Sequence, residues 1–207
     1  MSTAFTTLPS STPSQSLAPS NPGAHTLIFY EDDSALLDGL SQSICTAICA
    51  GNSVLVVATA AHHNGLEAHL RERCVDAHRA IIEGRLFLLD ADEILSKIMV
   101  NGQLDPDRSV TVMGNYIAML AAAARGENPH VFAFGELVAL LWERGNHNAA
   151  LHLELLCRQI VENLPLQLCC GYPMRLFPSD TGPTPILEIS TRRTRVLRST
   201  DAQTVTL

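Results

Sequence analysis

The chain has 207 residues, of which 46% are apolar, 17% charged and 5% aromatic, with a formal net charge of -7, a size suited to one domain around a single core. Its longest uninterrupted apolar stretch, Tyr116 to Ala124, is far short of the ~20 residues that a membrane-spanning helix needs, so a soluble chain is expected. No Lys or Arg precedes Arg71, which together with the acidic balance argues against a nucleic-acid reader, a basic secretory leader and an Arg-rich transit peptide.

Residues 1 to 24 are Ser, Thr, Pro and Ala with scattered apolar residues and no charge, and they are expected to form a disordered leader. His25 to Tyr30 is a β-prone apolar run ending in Glu31, Asp32 and Asp33. It predicts a buried strand, followed by a helix capped at Asp33 or Ser34 and ending before Gly51. Asn52 to Thr59 predicts a second strand and Asn64 to Arg73 a helix with a thin apolar stripe. A further helical piece ends at Gly84, and Arg85 to Asp90 predicts a third strand. Ala91 to Val100 and Val110 to Ala124 predict two helices separated by a loop at Asn101 to Pro106. Val131 to Phe134 predicts a fourth strand, Leu137 to Glu143 a helix stopped by Gly145, Asn146 to Asn163 a helix capped by Asn146, and Leu166 to Tyr172 a fifth strand. Residues 25–178 thus form the expected domain, and 179–207 a tail in which Ile186 to Ile189 and Thr194 to Leu197 could add edge strands.

Strands that are apolar on both faces and alternate with helices indicate an α/β fold, a three-layer, mainly parallel sheet covered on both sides. Ligands of such sheets sit at the carboxyl ends of the strands. Those ends carry Tyr30 and Glu31, Thr59, Asp90, Gly135 and Glu136, and Tyr172. Thr59 and Asp90 are of the residue types that close turns and cap helices. Glu136 is the stronger candidate, because it follows a strand ending in glycine, where a backbone or ligand can approach closely.

The chemistry of nucleotide hydrolysis is missing. A phosphate-binding loop needs glycines and a terminal lysine, yet the only lysine, Lys97, lies in an amphipathic segment without a preceding glycine, and the first strand runs into an acidic cluster that would repel phosphate. Eight histidines and six cysteines show no metal-ligand spacing, so no metal or cofactor is expected. Cys45 and Cys49 read as core residues. His62, His63 and His147 read as exposed or capping, His25 as structural, and Cys169 and Cys170 as strand residues on alternate faces that pack or line a pocket. Trp142 reads as core. No nucleophile motif is present. The cysteines read as reduced thiols of a cytoplasmic protein, and Arg192, Arg193, Arg195 and Arg198 as a solvated edge.

The ordered series His25 with Phe29-Tyr30-Glu31, Val56-Val57-Ala58-Thr59 with His62, Leu88-Leu89-Asp90-Ala91, Phe134-Gly135-Glu136 leading to Leu140-Leu141-Trp142 and Gly145-Asn146, and Leu168-Cys169-Cys170-Gly171-Tyr172-Pro173 resembles the MEDS domain, the methanogen and methylotroph DcmR sensory domain. The resemblance covers about residues 25 to 178. It implies a RecA-like or KaiC-like α/β domain without a phosphate-binding loop, and a sensory module for small hydrocarbon derivatives, found alone or joined to histidine kinases and DNA-binding regulators. Its ligand-contacting positions map to His25, Tyr30, Glu136, Cys169 and Tyr172, with Glu31 added from the strand ends. A final strand followed by histidine is replaced here by Ile189-Ser190-Thr191-Arg192-Arg193. The expected function is therefore a non-enzymatic sensory domain that binds a small organic ligand and signals by contact to a regulatory protein, such as a histidine kinase or transcription regulator, with no direct nucleic acid and no membrane. The rivals are a pure interaction module derived from an ATPase-like fold, and an enzyme using Glu136 as general base, which needs a carboxyl pKa raised by burial.

Overall fold

Apolar residues at every position of a strand require cover on both faces. The computed structural model supplies that cover, and it describes residues 23–74, 76–177, 194–198 and 201–206, the last two segments by backbone alone. The expectations for residues 1–22, for a strand at Ile186 to Ile189 and for Arg192 and Arg193 fall outside them.

Strands β1 (His25–Tyr30), β2 (Ser53–Ala58), β3 (Leu86–Asp90), β6 (Val131–Gly135) and β7 (Leu166–Pro173) form a parallel sheet, extended by β8 (Thr194–Arg198) in parallel and β9 (Asp201–Thr206) antiparallel, in the order β3-β2-β6-β7-β1-β8-β9. The architecture is the expected α/β one; the strand anticipated at Thr194 to Leu197 is present as β8, but it is internal, since β9 pairs on its outer side and forms the edge. Alternate strand residues feed different cores. Ile28, Tyr30, Val54, Val56, Phe132, Phe134 and Cys169 pack under α1 (Asp33–Cys49), α2 (Ala60–Arg73) and α3 (Ala77–Ile82). Leu27, Phe29, Leu55, Val57, Ala133, Leu168, Cys170 and Tyr172 pack under α4 (Ala91–Ile98), α5 (Pro106–Ala123), α6 (Leu137–Glu143) and α7 (His147–Asn163). Where nucleotide-binding sheets carry a phosphate loop, the β1-to-α1 connection is Glu31 and Asp32, and the Asp32 carboxylate caps α1 by accepting from the Ser34 amide.

Several element boundaries differ from the sequence reading. α1 is capped one residue earlier than expected. α2 begins at Ala60, four residues before the expected start, so His62 and His63 are helical. α4 stops at Ile98 because β4 (Met99–Val100) and β5 (Gln103–Leu104) form a small hairpin. Asn101 and Gly102 turn it with φ of 52° and 77°, the pair of left-handed residues that a two-residue hairpin favours. α5 begins at Pro106, and Asp105 caps it by accepting from the Arg108 amide; a capping acid followed by proline at the first helical position is a start signal. Asp90 caps α4 through the Glu93 amide, as its residue type suggested.

Gly51 joins α1 to β2 with φ +83°, and a Cβ there would lie 2.5 Å from the Arg125 carbonyl oxygen, whose residue donates its amide to Gly51 O at 2.7 Å. Gly84 is also left-handed but faces open space. Gly51→Ala should therefore cost about 2–3 kcal/mol and Gly84→Ala about 1 kcal/mol, measured by urea unfolding with an unchanged slope. Equal costs would show that the approach to Arg125 imposes no constraint.

Candidate functional site

Two buried polar clusters occupy opposite faces of the sheet. The first lies at the carboxyl rim. Glu136 follows β6 at the N-cap position of α6 and is 3% exposed, and its amide donates to Val57 O at 3.0 Å. One carboxylate oxygen accepts from Tyr30 OH at 3.3 Å and lies 2.5 Å from His62 Nδ1; the other accepts from the Thr59 amide at 3.0 Å. The second ring nitrogen of His62 is 3.4 Å from Asp33. The hydrogen bond to Glu136 raises the His62 pKa above its ordinary 6.5, with Asp33 helping and burial opposing. Burial, followed by the charges of Glu136 and Asp33, pushes the Tyr30 hydroxyl far upward and keeps it a donor. The rim is closed by these contacts between β1, α2 and β6, with the short His62–Glu136 contact at their centre.

The second cluster lies inside the other core. His25 Nε2 is 3.3 Å from Cys170 Sγ and 3.6 Å from Glu154 Oε1, and Tyr172 OH donates to Glu154 Oε2 at 2.6 Å. All four residues are buried. Burial lowers the His25 pKa against the opposing pull of Glu154. The Cys170 thiol is pushed up by its hydrogen bond to Cys157 and by burial, and the Tyr172 hydroxyl by burial and the Glu154 charge. Tyr172 also stacks on Phe29 with ring centroids 5.3 Å apart.

Beside this cluster is an apolar cavity of about 50 Å³, and a single water needs only ~10–15 Å³. Its floor is β2, β6 and β7, with Leu55, Val57, Ala133, Leu168 and Cys170; its roof is α5, α6 and α7, with Met113, Ile117, Val138, Leu153, Cys157 and Ile160. Ser109, Cys157 and Cys170 supply its polar side-chain atoms.

The six residues singled out from sequence therefore do not form one site. Tyr30 and Glu136 meet at the rim. His25 and Tyr172 meet in the interior through Glu154. Cys169 is buried across the sheet, in the core under α1 to α3, and Glu31 is exposed. His62 is buried and engaged, against the expectation of an exposed or capping role, because α2 starts early enough to carry it. It continues the stripe of Leu66 and Leu70 at intervals of four residues, which is the signal that could have found it. Glu154 interrupts the apolar stripe of Ala150, Leu153 and Val161 on α7 in the same way. Cys49 is exposed and Cys45 half-buried, not core; burial and a hydrogen bond to Cys74 push the Cys45 thiol up to about 12. No disulfide joins any of the six cysteines, all of which are among the described residues. Trp142 is half-buried, stacked on His147 with centroids 4.3 Å apart. Among the described residues, no helix is long and apolar enough to cross a membrane.

A five-stranded parallel sheet covered by helices on both faces, with acids in the β1-to-α1 turn and an apolar cavity under three helices, defines a domain of the α/β class. Residues 24–182 match MEDS, the MEthanogen/methylotroph, DcmR Sensory domain, and the chain belongs to that family, with a sensory role in signal transduction. None of the curated proteins matches it.

Two outcomes follow from these clusters. His62→Gln should lower stability by about 2 kcal/mol below pH ~6.5, where the imidazolium forms in both folded and unfolded chains. Because the folded pKa is raised, the difference from wild type should shrink as pH rises through it. Denaturant midpoints across pH 5 to 9 (roughly, spanning the ordinary His pKa) test this; a difference independent of pH refutes the ion pair. Tyr172→Phe should cost about 1–3 kcal/mol by removing a donor from a buried carboxylate, read as a lower melting temperature.

Proposed function

We propose that this domain senses a small, weakly polar organic molecule bound in the cavity between the sheet and α5, α6 and α7, and passes the signal to a regulatory protein by direct contact. The cavity is the observation that carries the reading. Its walls are almost wholly hydrocarbon, so they reward transfer of an apolar molecule from water and offer little to a phosphate or sugar. Its size limits the ligand to a few non-hydrogen atoms, which agrees with the hydrocarbon derivatives that the family resemblance implies. The thiols of Cys157 and Cys170 and the hydroxyl of Ser109 provide orientation without demanding a charged partner.

Glu136 fits a different part of this function. Both of its oxygens are engaged, by His62 and Tyr30 on one side and by the Thr59 amide on the other, which favours a latch over a general base. It precedes α6, whose Leu137 and Val138 line the cavity. A ligand that repositions α6 therefore acts on the latch, and through it on α2 and β1. Signalling needs the ligand to bind two arrangements unequally, and α6 with its latch is the element we assign to that change. In this reading the domain works in the cytoplasm and catalyses no reaction.

The test is a thermal-shift screen of small halogenated and oxygenated hydrocarbons on the full chain. At least one compound should raise the melting temperature. Ala133→Leu, which places extra methyl groups in the cavity, should abolish that shift, whereas Glu136→Gln should bind with altered affinity but keep it. Loss of the shift in Glu136→Gln with retention in Ala133→Leu would move the ligand to the rim. Absence of any shift, with capture of a regulator, would favour the pure interaction module.

A further inference from the structure

We propose that His25, Glu154 and Cys170 bind a divalent cation of the zinc class in the wall of the cavity. The residues come from β1, α7 and β7, are all buried, and bring one ligand atom each within 4.8 Å of one another. His25 Nε2 stands 3.3 Å from Cys170 Sγ and 3.6 Å from Glu154 Oε1. Zinc holds imidazole nitrogen and carboxylate oxygen at about 2.0–2.2 Å and thiolate sulfur at about 2.3 Å, so tetrahedral ligand atoms stand about 3.3–3.6 Å apart. The two separations from His25 match such a shell, and the remaining pair, Cys170 and Glu154, lies within 4.8 Å.

The surroundings point the same way. Tyr172 OH holds Glu154 Oε2 at 2.6 Å, which orients the carboxylate and leaves Oε1 turned toward His25, the arrangement that supporting hydrogen bonds give to metal ligands. His25 Nδ1 is buried without a hydrogen-bond partner, so the ring is oriented by the cluster itself. Charge completes the argument. A carboxylate, a thiolate and a neutral imidazole carry two negative charges, which a divalent ion cancels in a core where net charge is costly. On binding, the Cys170 S–H bond breaks, its proton leaves to solvent and a metal–sulfur bond forms. The donor set of one sulfur, one nitrogen and one oxygen selects zinc-like ions over magnesium and calcium. Three protein ligands leave a fourth position of a tetrahedral ion unfilled, and Cys157, the side-chain partner of Cys170, lines the adjoining cavity. Only the use of that position by an organic ligand rests on the sensory reading; uptake of the ion does not.

The experiment uses the full chain, stripped of metal and titrated anaerobically with Co2+ without any organic compound. One equivalent should bind, giving a thiolate-to-cobalt charge-transfer band and the intense visible bands of a four-coordinate ion, and Zn2+ should displace it. Cys170→Ser should lose the charge-transfer band and His25→Gln at least tenfold in affinity. The Cys45→Ser/Cys49→Ser variant, which removes the thiols of α1, should retain both. X-ray absorption of the zinc-loaded wild type should show one sulfur among nitrogen and oxygen ligands, a readout that needs no variant to fold. No uptake, a band that survives Cys170→Ser, or a shell without sulfur would overturn the site. A cation that binds while no organic compound gives a thermal shift would leave the site standing and refute the sensory reading alone.

Discussion

A carboxylate removed from water must be supplied with donors, and Glu136 takes its donors from two distant pieces of chain, β1 and the β2-to-α2 junction. His62 comes from α2, Tyr30 from the end of β1 and the Thr59 amide from the end of β2. In a parallel sheet all strands finish at one edge, so a single acid placed after the central β6 can reach the end of its neighbour β2 on one side and, past β7, the end of β1 on the other. That arrangement ties the rim at the edge where open parallel sheets commonly place their ligands. The acids at Glu31 and Asp32 reinforce the difference, since Asp32 is engaged as a helix cap and the turn has no glycine to make a cradle.

The opposite face is organised by a different constraint. Four helices cover the strands there, and their packing leaves a void beside buried polar groups. Hydrocarbon lines most of the void, while Cys170 belongs at once to its wall and to the cluster with His25 and Glu154. An apolar cavity and a buried set of polar side chains thus share one strand residue. The rim and the cavity also share an element, because α6 begins at Glu136 and presents its first residues to the void.

The strands and the layer arrangement were legible because period and composition report burial directly. Runs such as Val54 to Val57 have no polar face, so the sheet had to be covered twice. The polar clusters were less legible, for reasons particular to each. His25 and Cys170 touch across a separation of 145 positions, and no spacing rule joins residues that only the β1-to-β7 pairing brings together. Tyr30 and Cys169 share a face with one another, whereas His25 and Tyr172 point the other way, a split that follows from strand alternation once the register is known. His62 was obscured by the weak start of α2, where Thr59 occupies the cap position without a side-chain bond. Glu154 was available as the one acid on the apolar stripe of α7, and its neighbours Ala150 and Leu153 mark it as buried.

Asn146 does more than begin a helix. Its carboxamide oxygen accepts from the Ala149 amide at the start of α7, while its nitrogen donates to the Gly102 carbonyl at 2.7 Å in the β4–β5 hairpin. That hairpin leads through Asp105 into α5, so two of the helices roofing the void are pinned to each other at one end by a single side chain. The seam between the start of α7 and the hairpin that feeds α5 therefore has a polar anchor inside an otherwise largely apolar roof.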